Sequence, residues 1–105
     1  MTFREDAVAA FTALFEERRQ LIRDFPGCRH LELWQDAGDA RIFFTYSLWE
    51  SETHLDHYRF SGLFRDTWAR TKALFAAKPQ AWSVLQRTIV NGAETPGKGD
   101  SLRLP

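Results

Sequence analysis

Ten residues, Phe43 to Glu52, constrain this chain most. Phe43 to Trp49 is rich in aromatic residues, which suit the pleated surface of a strand. The segment then turns directly into a helix. Ser51 is placed to accept a backbone N–H as N-cap, and Glu52 stands in the first turn, where the positive helix end favours an acid. Side chains alternate along a strand. Ile42, Phe44, Tyr46 and Leu48 therefore share one face, and Phe43, Thr45, Ser47 and Trp49 the other. Both faces carry large apolar groups, so both need cover. Helices on the same chain can cover one. A second copy of the sheet is the economical cover for the other, because symmetric pairs are the commonest oligomers.

The flanking segments fit this plan. Glu5 to Asp24 reads as a helix with Val8, Phe11, Leu14, Phe15, Leu21, Ile22 and Phe25 on one stripe. Pro26-Gly27 stops it. Cys28 to Asp36 reads as a strand, with Arg29, Leu31, Leu33 and Gln35 facing one way and Cys28, His30, Glu32 and Trp34 the other. Ala37-Gly38-Asp39 supplies turn residues, so this strand and the one from Arg41 to Trp49 form a hairpin. Two helices follow, Glu52 to about Phe60 and Gly62 to Ala77. Ser61 can cap the second, whose buried stripe is Leu63, Phe64, Thr67, Trp68, Thr71, Leu74 and Phe75. Gln80 to Val90 reads as a final strand. From Asn91 onward Gly, Pro and polar residues predict a tail without a core of its own. The domain is thus expected over 1–90 and the tail over 91–105. The order α, β, β, α, α, β implies an α+β sandwich, an antiparallel sheet with helices on one face.

Composition excludes several classes. The 105 residues fit one domain, and nine Phe, four Trp and two Tyr can fill its core densely. Acidic and basic residues balance at 14 each, so the basic excess of a nucleic-acid binder is lacking. No apolar run reaches the length of a membrane span, and no secretion signal opens the chain. The single cysteine, Cys28, cannot form an internal disulfide, which suits a reducing cytoplasm. Next to the Pro-Gly turn it reads as a small buried hydrophobe.

Phe25-Pro26-Gly27-Cys28, and Tyr46-Ser47-Leu48-Trp49-Glu50-Ser51-Glu52 followed by Leu55, Tyr58, Ser61 and Phe64, resemble the antibiotic biosynthesis monooxygenase family. The likeness runs from about Met1 to Ser83. It implies a ferredoxin-like fold and a homodimer whose sheets form a shared α/β barrel. Some members oxidise phenolic or quinol compounds with O₂ without metal or flavin; others degrade haem. Three departures stand out. Members usually open with a full strand, of which Met1-Thr2-Phe3 is the counterpart here. Phenol oxidisers carry an Asn where this chain has Thr45. Haem degraders carry a ligating His where this chain has Trp68, which disfavours haem chemistry.

O₂ reacts poorly with closed-shell molecules unless a cofactor helps or the substrate becomes electron-rich on losing a proton. The second route needs an apolar pocket, a proton acceptor and exclusion of water. Phe44, Tyr46, Trp49, Phe64 and Trp68 are the candidate walls for a small aromatic substrate. His57 and Tyr58 are the candidate catalytic pair, with His30 and His54 as further polar groups. Each also has a structural reading: Trp49 as core, Tyr46 as a wall residue, His54 as solvated surface, His30 on an edge strand. His54-x-x-His57 offers two nitrogens and no third ligand, so no metal is expected, and no cofactor. The alternative to an oxygenase is a dimeric module that binds an apolar compound without turning it over.

Overall fold

The computed structural model describes residues 1–92. The tail expected over 91–105 lies outside the described residues beyond Gly92. A 3₁₀ turn, Glu5–Ala7, leads into α1 (Val8–Arg23); β1 (Cys28–Gln35) and β2 (Phe43–Trp49) form an antiparallel hairpin, and α2 (Glu52–Arg59) and α3 (Gly62–Lys72) follow. The α+β expectation holds: α1 packs on β1 and α2 on β2, and α3 packs on both helices.

Local chemistry sets these boundaries. Ser51 Oγ accepts the His54 N–H at 3.2 Å, as the junction predicts for an N-cap. Ser61 caps α3 by accepting from Phe64 N–H at 3.1 Å and donates its own hydroxyl to the Tyr58 carbonyl at 2.6 Å, so one side chain ends α2 and starts α3. Gly27 turns the chain after α1 at φ +89°, a conformation that glycine alone adopts freely. Its carbonyl accepts the Glu50 N–H at 2.8 Å, which ties this turn to the end of β2.

The core is aromatic. Phe3, fully buried, stacks on Phe11 at 4.1 Å and meets Phe43 at 5.8 Å and Phe75 at 5.2 Å. Met1–Arg4 acts as a short inner strand. Met1 and Phe43 exchange two backbone hydrogen bonds of 2.9 Å, Phe3 N–H donates to Arg41 O at 3.0 Å, and on the far side Ala76 N–H donates to Thr2 O at 2.8 Å. Arg18 joins α1 to α3 through Asp66 at 2.6 Å.

Four sequence expectations need correction. Cys28 does not share a face with His30: an irregularity in the register between them turns Cys28 inward, opposite Trp49 and on the same side as Leu31 and Leu33. Leu21 is exposed, because the buried stripe of α1 is narrower than its apolar positions and ends on Phe11, Leu14 and Ile22. α3 stops at Lys72 rather than Ala77, and Leu74–Ala76 lies beside Met1–Arg4 instead. Gln80 to Val90 forms no strand: within one chain it finds no strand to pair with.

Candidate functional site

The hairpin register sorts the predicted site residues onto two faces, since cross-strand partners point the same way. Leu33 with Thr45, Leu31 with Ser47 and Cys28 with Trp49 face the helices. His30 with Leu48, Glu32 with Tyr46 and Trp34 with Phe44 form the opposite face. Trp49, Tyr58, Phe64 and Trp68 therefore gather on the helix side, whereas Phe44 and Tyr46 lie across the sheet from them.

On the helix side a file of rings runs from the α1 turn to the end of α3. Phe25 meets Tyr58 edge-on at 5.3 Å, Trp49 stacks on Tyr58 at 5.0 Å, Tyr58 meets Phe64 at 5.2 Å, Phe64 stacks on Trp68 at 6.0 Å, and Trp68 meets Phe75 at 5.6 Å. Trp49 is oriented by its indole N–H, which donates to Ser47 Oγ at 3.0 Å. The Trp49, Tyr58, Phe64 and Trp68 rings are half-buried. Phe25 and Phe75 close the two ends of the file. The sequence marks Phe25 as the last stripe position of the first helix and as part of the Phe25-Pro26-Gly27-Cys28 resemblance, and Phe75 as a stripe position, but neither as part of a site.

Tyr58 is the polar centre of this file. Burial pushes its phenol up to about 12, so at neutral pH it is a hydrogen-bond donor and not a base. His57, the next residue, is exposed at the helix surface. His54 is occupied locally: Nδ1 bonds Ser51 Oγ at 2.7 Å, Nε2 lies 3.6 Å from Glu50 Oε2, and its ring covers Gly27. The Tyr58 shift has a checkable consequence. Raised above its unfolded value near 10, the phenol makes the folded state hold its proton longer than the unfolded chain, so stability is full below about pH 10 and declines as pH rises from there through about 12. Absorbance titration at 295 nm should show a phenolate that emerges near pH 12 and is absent in Tyr58→Phe.

The opposite face carries a polar network. Glu32 accepts the Trp34 indole N–H at 2.9 Å through one oxygen and bonds His30 Nε2 through the other. The Trp34 indole first, and His30 second, hold the Glu32 carboxyl below the usual carboxylate range. Tyr46 stacks on Trp34 at 5.1 Å and meets His30 edge-on at 6.2 Å. In the sequence Glu32 and Trp34 share a strand face with His30, and that alternation is the one signal of this network.

A groove of about 220 Å³ between α1 and β1 is lined by Phe15, Arg19, Gln20, Arg23, Leu31 and Leu33, and includes none of the predicted residues. Among the described residues no cluster of three His, Cys, Asp or Glu is placed to hold a metal ion, and no helix is long and apolar enough to cross a membrane.

A family model described as antibiotic biosynthesis monooxygenase matches residues 1–70. No curated protein matches the chain. Among solved structures, Rv0793 from Mycobacterium tuberculosis is 25% identical, with 82% of this chain and 89% of that one covered and a TM-score of 0.70. A protein titled antibiotic biosynthesis monooxygenase is 19% identical, with 73% and 81% covered and a TM-score of 0.69. A conserved protein from Methanosarcina mazei Go1 is 17% identical, with 73% and 76% covered and a TM-score of 0.70.

Proposed function

The chain belongs to the antibiotic biosynthesis monooxygenase family, and on that premise we propose that it is a dimeric, cofactor-independent oxygenase of a small phenolic or quinol compound. The observation that carries this reading is the ring file with one phenol at its centre: Trp49 stacked on Tyr58, with Phe64 and Trp68 beyond. A flat aromatic guest fits between or beside such rings, because offset and edge-on ring pairs are favourable beyond the area they bury. Tyr58, kept protonated by burial, donates a hydrogen bond to the guest's oxygen and so favours its phenolate form. The phenolate supplies the electrons O₂ requires. In the balanced reaction one oxygen atom enters the ring as a second carbonyl, and the phenolic and ring hydrogens leave with the other oxygen as water. His57, exposed one residue along α2, exchanges the phenolic proton with solvent, and solvent returns one to the leaving oxygen as water forms. Phe44 and Tyr46, on the other sheet face, enter this reading as lining of the chamber between two subunits rather than as walls of the ring file. A family member acting inside cells as such a dimer would need no membrane and no nucleic acid.

One observation favours a second reading, a binding module without turnover. His57 is exposed and Tyr58 is held protonated, so the ring file contains no base of its own. Oxygen uptake on metal-stripped protein with a panel of hydroquinones and phenols separates the two. The oxygenase reading expects turnover above buffer that falls at least about tenfold in Tyr58→Phe and Trp49→Ala, with a smaller, buffer-rescued loss in His57→Ala. Quenching of tryptophan fluorescence by the same compounds without oxygen uptake establishes the binding module and overturns the oxygenase.

A further inference from the structure

We propose that the groove between α1 and β1 binds a small amphipathic carboxylate, a molecule with one anionic head and a short apolar body. The groove holds about 220 Å³ and shares no residue with the ring file. Its two walls give it a direction. Phe15, Arg19 and Arg23 follow one another at intervals of four along α1, so they form one stripe. Leu31 and Leu33 meet that stripe from the helix side of β1. Arg23 Nη1 donates to the Cys28 carbonyl at 2.9 Å, which ties the arginine to the start of β1. Phe15, about two turns back along α1, and Leu33, further along β1, both pack against the cluster of Phe3, Phe11 and Phe43. The groove is therefore basic at its Arg23 end and apolar at its Phe15 end.

The charges on the rim suit a single carboxylate. Arg23 has no carboxylate within ion-pair distance among the described residues. Its bond to Cys28 fixes the guanidinium and leaves its other N–H donors to a guest. Arg19 pairs only with Glu16, at 2.8 Å on the exposed side of the same helix, where water and salt weaken such pairs. The Gln20 amide is oriented as well, since its Nε2 donates to Asp24 Oδ1 at 3.0 Å. No acidic side chain lines the groove. A planar guanidinium grips a carboxylate through two parallel N–H bonds. The end of α1 alone accounts for a basic residue in the last turn, but it does not call for an apolar floor beside it. Phe15, Leu31 and Leu33 are only half-buried, and an apolar body laid over them takes that surface out of water. The volume lies below the roughly 300–1,000 Å³ of pockets for drug-sized ligands, so the occupant is of benzoate or octanoate size. This inference does not depend on any oxygen chemistry at Tyr58.

The test is an NMR titration of the isotope-labelled full chain with benzoate, octanoate, their neutral alcohols and inorganic phosphate. One of the two carboxylates or both should saturate with a dissociation constant below about 5 mM and shift the Leu31 and Leu33 methyls. The tighter of the two tells whether the apolar body is a ring or a chain. The matching alcohol should bind at least about tenfold more weakly, because it lacks the charge-assisted bonds to the guanidinium. Arg23→Gln should weaken carboxylate binding at least about tenfold, and Arg23→Lys, which keeps the charge but loses the fork, should weaken it less. Arg19→Gln leaves the Cys28 bond untouched, so it tests the rim even where the Arg23 variants fold poorly; it should weaken binding at least about threefold. Three results overturn the proposal: no saturation by either carboxylate below about 5 mM, phosphate binding as tightly as the carboxylates, or affinity unchanged in the Arg19 and Arg23 variants. Shifts centred on Trp49 and Tyr58 in place of Leu31 and Leu33 overturn it as well, by moving the guest to the ring file.

Discussion

Replacing Phe3 by alanine is expected to lower the unfolding free energy by about 3–5 kcal/mol, the usual cost of truncating a buried aromatic core residue. Phe3 is fully buried and touches three other rings, Phe11, Phe43 and Phe75, which come from α1, β2 and the segment after α3. No neighbour can collapse into the void without leaving its own contacts, because each ring belongs to a different element. The same residue also holds the short inner strand through its bond to Arg41, and that bond survives the substitution only if the backbone stays in place. Urea denaturation should show a lower midpoint with a similar slope. Phe60→Ala is the control. Its ring is 72% exposed, so it should shift stability by no more than about 0.5 kcal/mol. Equal effects of the two substitutions would refute the placement of Phe3 at the centre of the core.

The second large effect is at Gly27. Gly27→Ala should cost about 2–5 kcal/mol, from two sources that can be separated. The positive φ of +89° is unfavourable for a residue with a Cβ by roughly 1–2 kcal/mol. In addition, a Cβ there would overlap the Cβ, Cγ and Cδ2 of His54, and overpacking of this kind typically costs about 1–3 kcal/mol. The clash involves the His54 Cβ, so shortening the histidine to alanine does not relieve it. The double variant Gly27→Ala with His54→Gly removes the overlap but keeps the backbone strain. After correction for His54→Gly alone, it should recover the overlap portion and no more. Full recovery would show that the turn tolerates a Cβ, and no recovery would show that His54 does not crowd it.

Local signals in the chain were sufficient for most of the fold. The capping serines Ser51 and Ser61, the Pro26-Gly27 stop and the alternation of the hairpin each depend on neighbours a few residues away, and each is found as expected. The features that escaped depend on distant contacts. Cys28 turns inward where the ladder slips beside it, in a stretch held by Arg23, whose Nη1 donates to the Cys28 carbonyl at 2.9 Å. No alternation rule foresees such a slip. Phe3 becomes the hub of the core because Met1–Arg4 fits between β2 and Leu74–Ala76; the family resemblance implies a strand there, but no local pattern in so short a segment makes Phe3 the hub. Of the site, the aromatic types and their junction at Trp49 were legible. The division of Phe44 and Tyr46 from Trp49 is the one that alternation along β2 predicts, so the three do not line one pocket within a subunit. The stacking of Tyr58 on Trp49, and hence the state of its phenol, needed the helix to be placed against the sheet.

The slip beside Cys28 also separates two jobs along one ribbon. At its base the hairpin is anchored to the α1 turn, through Cys28, Trp49 and the Glu50 bond to Gly27. Beyond the slip, His30, Glu32 and Trp34 alternate freely on the face turned away from the helices. Residues on that outer surface can therefore be exchanged by evolution for a new guest or neighbour while the anchor keeps its geometry.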